Sequence, residues 1–246
     1  ATVAAGGLMH QSSYLLFVLL LLFPWVLVHL SRPDLRRELW ACSLLAAPLG
    51  PLFEIWYHQD YWNPVVYGPW SVGLEDLLFG FCVGGLGAVA YEVLLNRTRV
   101  ARYGAQNPRF FLLALLAGIL AHAFLVPTGV NSIYVSIATF LAVTLMMLHR
   151  RRDLVPVALV SGAALAALML GSYQVVLWHH PTLFEEFWHL EELSGQFILR
   201  VPLEEPLWGF GWGAFIGCAW KYGYGEICVP RRRLRAGTLG QDPLNP

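Results

Sequence analysis

The segment Leu199–Gly217, LRVPLEEPLWGFGWGAFIG, places two adjacent carboxylates, Glu204 and Glu205, at the head of an apolar helix rich in Trp, Phe and Gly. Carboxylates at the edge of hydrocarbon are costly and are kept for function. A second copy lies upstream at Val72–Ala88, VGLEDLLFGFCVGGLGA. A shift of 129 residues superposes Leu74-Glu75-Asp76 on Leu203-Glu204-Glu205, Gly80-Phe81 on Gly209-Phe210 and Gly84 on Gly213. One acidic, glycine-ridged helix used twice predicts a pseudo-symmetric pair facing one shared site.

The rest of the chain sets the environment of that pair. Of 246 residues, 57% are hydrophobic and only 13% charged, and the mean hydropathy is +0.55. Both shares depart from those of a soluble domain and indicate a polytopic membrane protein. The formal net charge is zero, so total charge says nothing about nucleic-acid or acidic partners and its placement along the chain says more; no nucleic-acid partner is expected. The four cysteines, Cys42, Cys82, Cys218 and Cys228, form no C-x-x-C pair.

Seven apolar segments, roughly 13–30, 39–57, 71–95, 110–126, 131–149, 154–178 and 200–222, approach the ~20 residues that span hydrocarbon. The links between them alternate in charge. Arg32, Arg36 and Arg37, then Arg97, Arg99, Arg102 and Arg109, then Arg150–Arg152, then Lys221 and Arg231–Arg233 mark one side. The links 57–70, 127–132 and 179–199 are bare or acidic. By the positive-inside rule this predicts an all-α bundle of seven spans, with the N-terminus outside and the C-terminus cytoplasmic. A single membrane domain over 1–229 is expected, with one repeat at about 10–109 and a second at about 110–225. Residues 230–246, rich in Arg and Pro, read as a disordered cytoplasmic tail. Arg36-Arg37-Glu38-Leu39 opens the second segment and Arg151-Arg152-Asp153-Leu154 the sixth. Both acidic helices run inward, so the repeats are parallel.

Helical spacing sorts the faces of the acidic helix. Gly209, Gly213 and Gly217 follow Glu205 at four-residue steps, and Gly80, Gly84 and Ala88 follow Asp76. Such small-residue ridges let helices approach backbone to backbone. Trp208, Trp212 and Phe215 gather below Glu204, and Phe79 below Glu75. The expectation is therefore that Glu205 tops a packing ridge while Glu204 faces a pocket. An acid beside aromatic faces in a dry cavity is suited to making and steadying a cation.

The block Glu54-Ile-Trp-Tyr-His-Gln-Asp-Tyr-Trp62-Asn-Pro64, followed by Leu74-Glu75-Asp76-x-x-Phe79, resembles the first half of the membrane-integral carotenoid cyclases. Pro202-Leu203-Glu204-Glu205-x-x-Trp208 resembles their second half, and the resemblance covers about residues 10–225. It departs from the family pattern in three places: Gly73 stands where a Pro is expected, Asp76 replaces a second Glu, and Pro206 is inserted. The resemblance implies a prokaryotic cell-membrane enzyme of carotenoid biosynthesis. Its reaction would be cofactor-independent acid/base cyclisation, an isomerisation, of the end group of a linear carotenoid such as lycopene. The carboxylates implied are Glu204, Glu205, Glu75, Asp76 and Glu54, and Trp208, Trp212, Phe215, Phe79 and Trp62 would line the substrate. A carotenoid end-group hydratase and a non-catalytic carotenoid- or quinone-binding subunit are the alternatives on this scaffold. The bilayer and the linear carotenoid are the implied partners, and a homo-oligomer is compatible with the pattern.

Other membrane chemistries fit less well. A covalent retinal site needs a lysine deep in the last helix, whereas Lys221, the sole lysine, is placed by the pattern at the cytoplasmic end. The eight histidines form no di-iron boxes. Glu186-x-x-His189 has helical metal-ligand spacing, but an amphipathic surface helix, with Leu183, Phe184, Phe187, Trp188 and Leu190 dipping into the membrane, accounts for the same residues. No metal site is assigned. His122 reads as a satisfied core histidine.

Overall fold

The computed structural model of the chain describes residues 2–64, 73–103 and 109–231, with side chains from Ser13 onward. The tail expected to be disordered falls almost entirely outside the described residues, as does part of the link 57–70. Helix α1 is Thr2–Ser31, α2 Arg36–Ala46, α3 Leu49–Asp60 and α4 Leu74–Leu94, followed by strand β1 at Arg97–Ala101. Helix α5 is Phe110–Leu125, α6 Ser132–Arg150, α7 Val155–His179 and α8 the short Leu183–Phe187. Strands β2 (Phe197–Ile198) and β3 (Val201–Pro202) precede α9 (Glu204–Tyr224) and β4 (Glu226–Pro230). Among the described residues, five helical stretches are long and apolar enough to cross a membrane, and α2 with α3 makes a sixth if counted as one bent span. Helix α9 matches α4 in length, at 21 residues, and each carries three charged side chains: Glu204, Glu205 and Lys221 on α9, Glu75, Asp76 and Glu92 on α4.

The expected unbroken span over 39–57 is two helices meeting at 42°. Pro48 lies at the break. It brings no N–H to the helix ladder and its ring clashes with the carbonyl one turn back. The bend sets the backbone of Gly50 against α4 so closely that a Cβ there would lie 2.0 Å from the Asp76 carbonyl oxygen. Glu54, one turn after Gly50, is thereby carried to the head of α4.

Two glycine ridges hold the core. On α4, Gly80 and Gly84 meet the Ala46 and Cys42 carbonyls of α2. On α9, Gly209 meets Ala166 and Met169 of α7, and Gly213 meets the Ser161 carbonyl. Helices α4 and α9 touch each other where Gly87 faces Ile216 and the Gly213 Cα. Helix α1 packs on α4 and α7, while α6 packs on α9 and α5.

Element boundaries recur at fixed offsets. A shift of 119 residues carries the apolar stretch Ser13–Ser31 onto Ser132–Arg150, and the α2 start and α3 end onto the start and end of α7. A shift of 129 carries β1 onto β4. The left-handed residue before β1, Asn96, maps onto the left-handed Gly225 before β4. The difference of ten residues lies in the longer second outer link. These offsets also correct the register of the arginine motif. Arg32-Pro33-Asp34-Leu35, not Arg36–Leu39, matches Arg151–Leu154. Both leading arginines clasp the following aspartate through two N–H groups, and both leucines are buried. Arg32 then donates to the Arg97 carbonyl at 2.5 Å, and Arg151 to the equivalent Glu226 carbonyl at 2.8 Å.

Strands β1 and β4 pair antiparallel with Arg99 opposite Cys228 at the centre. Beneath this ribbon lies a buried charge cluster. Lys221 does not reach for water: it is fully buried, donating to Glu38 at 3.0 Å and to the Ala88 carbonyl at 2.7 Å, and lying 2.8 Å from Glu92. Arg99 is more than a topology determinant. Its guanidinium lies 3.0 Å from Glu38 and 2.9 Å from Glu226. Burial alone would depress the Arg99 pKa, but Glu38, Glu226 and Glu92 carry it above its ordinary value. Helices α2, α4 and α9 and strands β1 and β4 are thus tied at one point by charges that low-dielectric surroundings would otherwise penalise heavily.

Removing one member of that cluster should leave the others uncompensated. Lys221→Met is expected to cost about 3–5 kcal/mol, read as loss of folded protein or a sharply lower unfolding midpoint in detergent. Lys221→Met combined with Glu92→Met should recover part of the loss. Equal stability of wild type and single variant would contradict this role.

Candidate active site

At the opposite end of α4 and α9 from this cluster, three overlapping cavities form one internal groove. The outermost is lined by both Glu54 and Glu205 and by the rings of Phe17, Tyr57, Phe79 and Trp208. Its neighbour shares Glu54, Tyr57, Phe79 and Trp208 and adds Trp212. All five aromatic residues singled out from the sequence line the groove: Trp62, Phe79 and Trp208 the outer chamber, and Trp212 and Phe215 the inner reach. The Trp208 and Trp212 rings stack at 6.0 Å, Phe79 lies 5.6 Å from Trp208, and Phe17 stacks on Tyr173 at 4.3 Å.

Glu205 is buried and accepts three hydrogen bonds: from the Tyr61 hydroxyl, from the Tyr173 hydroxyl at 2.8 Å and from Trp188 Nε1 at 2.8 Å. Three donors, from α7 and from the links that follow α3 and α7, favour the ionised carboxylate, against the burial that favours the neutral acid. Tyr61 lies beyond the end of α3. Burial, and then the Glu205 charge, push its phenol well above the usual range, so it stays a proton-bearing donor. Glu54 is buried in the same chamber, accepting from Trp62 Nε1 at 3.2 Å, with His58 Nε2 3.0 Å from its other oxygen. His58 is partly exposed and so links Glu54 to the surface.

The remaining carboxylates stand elsewhere. Glu204 is buried outside the chamber, accepting from Tyr134 at 2.7 Å and from the Ser194 backbone N–H at 2.8 Å. The expected division of faces is therefore reversed: Glu205 reaches the aromatic chamber, and Glu204 pins the outer link to α6. The glycine ridge below Glu205 does pack on α7, as expected. At the top of that contact the chamber opens, and Tyr173 of α7 meets the carboxylate instead of a packed backbone. Asp76 closes the first turn of α4 by accepting from the Gly73 N–H at 2.7 Å and also accepts from Tyr14 at 2.8 Å. Gly73, in place of the expected Pro, supplies the N–H that this capping arrangement needs. Glu75 is buried beside it and does not line the chamber.

A second layer fixes the rings. Trp208 Nε1 donates to the Tyr57 hydroxyl at 3.0 Å, which meets Ser136 at 2.6 Å, which in turn meets His122 at 3.0 Å. His122 is bonded at its other nitrogen to the Gly118 carbonyl, 2.8 Å away, the satisfied core histidine expected from the sequence. Asp60 caps α6, accepting from the Ser132 N–H at 2.8 Å and the Ser132 hydroxyl at 2.5 Å.

The link 179–199 packs into the protein, where an amphipathic helix with its apolar side chains in the membrane was the expectation. Leu183, Phe184, Phe187 and Trp188 are buried in the protein. Trp188 bridges to Trp62 and the His189 N–H bonds to the Tyr61 carbonyl at 2.9 Å, so the two outer links close over the chamber as one lid. Glu186 and His189 do not converge: Glu186 meets His180 at 3.2 Å, whereas His189 faces Glu191. Among the described residues no three His, Cys, Asp or Glu side chains gather as a metal site.

Three residues of the site carried no readable signal. Tyr61, Tyr173 and Trp188 meet at Glu205 from positions 112 residues apart or more on one side and 15 on the other, and no local spacing joins them. His58 was readable, because it follows Glu54 by one helical turn.

Residues 131–222 match the family model described as lycopene cyclase. No curated protein and no solved structure matches the chain. The matched stretch runs from the cap of α6 into the last turn of α9.

Removing the Asp60 cap by Asp60→Ala should cost about 1–2 kcal/mol and lower the unfolding midpoint in detergent. Asp60→Asn, which keeps acceptor oxygen at the helix start, should cost less. Equal midpoints for the two variants would contradict the capping role.

Proposed function

We propose that this chain, which carries a lycopene cyclase family domain over residues 131–222, closes the end ring of a linear carotenoid by proton transfer alone. The observation that carries this reading is that Glu54 and Glu205 line one buried aromatic chamber. Paired carboxylates in different surroundings suit the two halves of an acid/base isomerisation.

The chemistry assigns them different roles. Glu54, in its protonated form, gives its proton to the terminal double bond, and the O–H electron pair stays on the carboxylate. The resulting tertiary cation is attacked by the neighbouring double bond, a carbon–carbon bond forms and the positive charge moves into the new six-membered ring. The Glu205 carboxylate removes a ring proton, and that C–H pair becomes the ring double bond. No atom is gained or lost, and one proton has moved from Glu54 to Glu205. His58 is the route by which Glu54 recovers a proton from the outer side. Tyr61, Tyr173 and Trp188 are positioning residues that hold Glu205. The ring faces of Phe17, Phe79 and Trp208 steady the cation, and the Trp62–Trp188 lid keeps water from trapping it as an alcohol.

The same reading makes the chain two parallel three-helix units. Helices α1, α2–α3 and α4 form one; α6, α7 and α9 form the other, with α5 as the connector. The offsets of 119 and 129 residues support it, as does a family match that spans one such unit. The second repeat then begins at α6, later than the position near 110 read from the sequence. The seven-span arrangement with its lid outside follows from the placement of charge along the chain.

In cells that make lycopene, Glu205→Gln and Glu54→Gln should each lower ring formation by at least about a hundredfold, with the protein still accumulating. Glu204→Gln should keep most activity, since its amide oxygen can still accept from Ser194. Unchanged cyclic product in the Glu205 and Glu54 variants would contradict the assignment. His58→Ala should slow turnover without reducing the pigment that co-purifies, and added imidazole should restore part of the rate. Full activity in His58→Ala would remove His58 from the proton route.

A further inference from the structure

Beyond the acid chamber the groove continues, and its inner reach lies among four helices. Leu49 and Phe53 of α3, Ala114 and Gly118 of α5, Phe140 of α6 and Phe215 of α9 line it. It joins the chamber through residues common to successive cavities: Trp212 and Phe140 here, Trp208 and Phe79 above. The lining changes character along the way. The chamber has carboxylates and hydroxyls, whereas Thr139 is the only residue of the inner reach with a polar side-chain atom apart from the Trp212 indole. Aromatic rings run the length of the groove, with Trp208, Trp212, Phe215 and Phe111 each within 6.2 Å of the next.

We propose that this inner reach holds the polyene tail of the substrate and opens sideways into the bilayer between α3 and α5, with Gly118 as the residue that keeps the opening clear. The proposal rests on the acid/base reading of the chamber and adds the path and the specificity residue. Three observations support it. First, the occupant must be apolar and long: helix α9 advances about 15 Å between Glu205 and Phe215 at ~1.5 Å per residue. A linear carotenoid is about as long as the bilayer core is thick, ~30 Å. Roughly half the substrate therefore remains outside the groove and needs a hydrocarbon medium, not water. Second, α5 is the helix least enclosed by the protein. Only 22% of its span is buried, against 61% for α4, and Leu112, Leu116 and Phe124 face outward. Leu49 and Phe53 of α3 line the reach beside α5, and the contact there is made by side chains, with the Phe53 and His122 rings 4.9 Å apart. Third, Gly118 lines the inner reach beside Phe53 and Thr139 without being pressed against either. A Cβ there would find Thr139 and Phe53 only at 3.8 and 3.9 Å, ordinary contact distances, while the ridge glycines are in hard contact. Backbone packing therefore does not demand glycine at 118. A larger side chain would instead project into the groove.

The path predicts a separation between long and short substrates. In reconstituted membranes, Gly118→Phe should lower lycopene turnover and co-purified lycopene at least tenfold. It should leave turnover of a short acyclic isoprenoid with the same end group within about twofold of wild type, since that substrate fits the chamber alone. The outward-facing Leu116→Phe should behave as wild type toward both. Glu205→Gln should lose both reactions yet still bind lycopene. Undiminished lycopene binding in folded Gly118→Phe, judged by an unchanged unfolding midpoint, would overturn the path. Equal loss of long and short substrates would also overturn it, by showing that Gly118 acts on the chamber. Should wild type bind lycopene without closing a ring, the acid/base reading fails, and the binding comparison alone decides the path.

Discussion

The close approach of α4 to α2 and of α9 to α7 is the constraint on which the structure depends. Inside a bilayer no difference in hydrophobicity drives helices together, so packing must supply the contact. The ridges Gly80–Gly84 and Gly209–Gly213 provide it by letting carbonyls and Cβ atoms of the neighbouring helices enter space that a side chain would fill. Once the backbones are that close, both ends of α4 and α9 are determined. At one end Lys221, Glu38, Glu92 and Arg99 meet within ion-pair distance. At the other end Glu54 and Glu205 come to face one chamber. Neither set would converge on helices a few ångströms further apart.

The two ends use charge differently. The Lys221 cluster balances acids with bases and ties five elements into one point. The chamber carboxylates have no such counter-ion. Glu205 is held by neutral donors, and Glu54 by an indole N–H and an imidazole. Under the proposed ring closure, which passes through a carbocation, the site gains from this difference. A lysine or arginine beside the substrate would repel the developing charge, whereas aromatic faces and a held carboxylate attract it.

Much of this was legible in the chain. The two similar acidic helices, the glycine ridges, the apolar segments and four of the aromatic lining residues, Trp208, Trp212, Phe215 and Phe79, follow from composition and period, while Trp62 came from the resemblance. Long apolar runs and four-residue steps are local signals, and local signals survive folding. What depended on rotation and on distant partners was not legible. Glu204 and Glu205 are neighbours, and which of them faced the chamber was decided by where α7 ends and where Tyr61, Tyr173 and Trp188 arrive. The arginine register was misread because Arg32-Pro33-Asp34 and Arg36-Arg37-Glu38 are four residues apart and similar in charge; only the aspartate clasp distinguishes them. The outer link looked like a surface helix because its apolar residues could equally face lipid or protein, and the pairing of Trp62 with Trp188 turned them inward.

The central claim is that ring closure begins with a proton from the protein and needs no other reagent. It is tested most directly by incubating the purified protein with a linear carotenoid in deuterated water and weighing the product. Protonation by Glu54 predicts a ring carrying one solvent deuterium for each closure, with no oxygen added. A ring of unchanged mass, or a linear product that has gained water, would contradict the account.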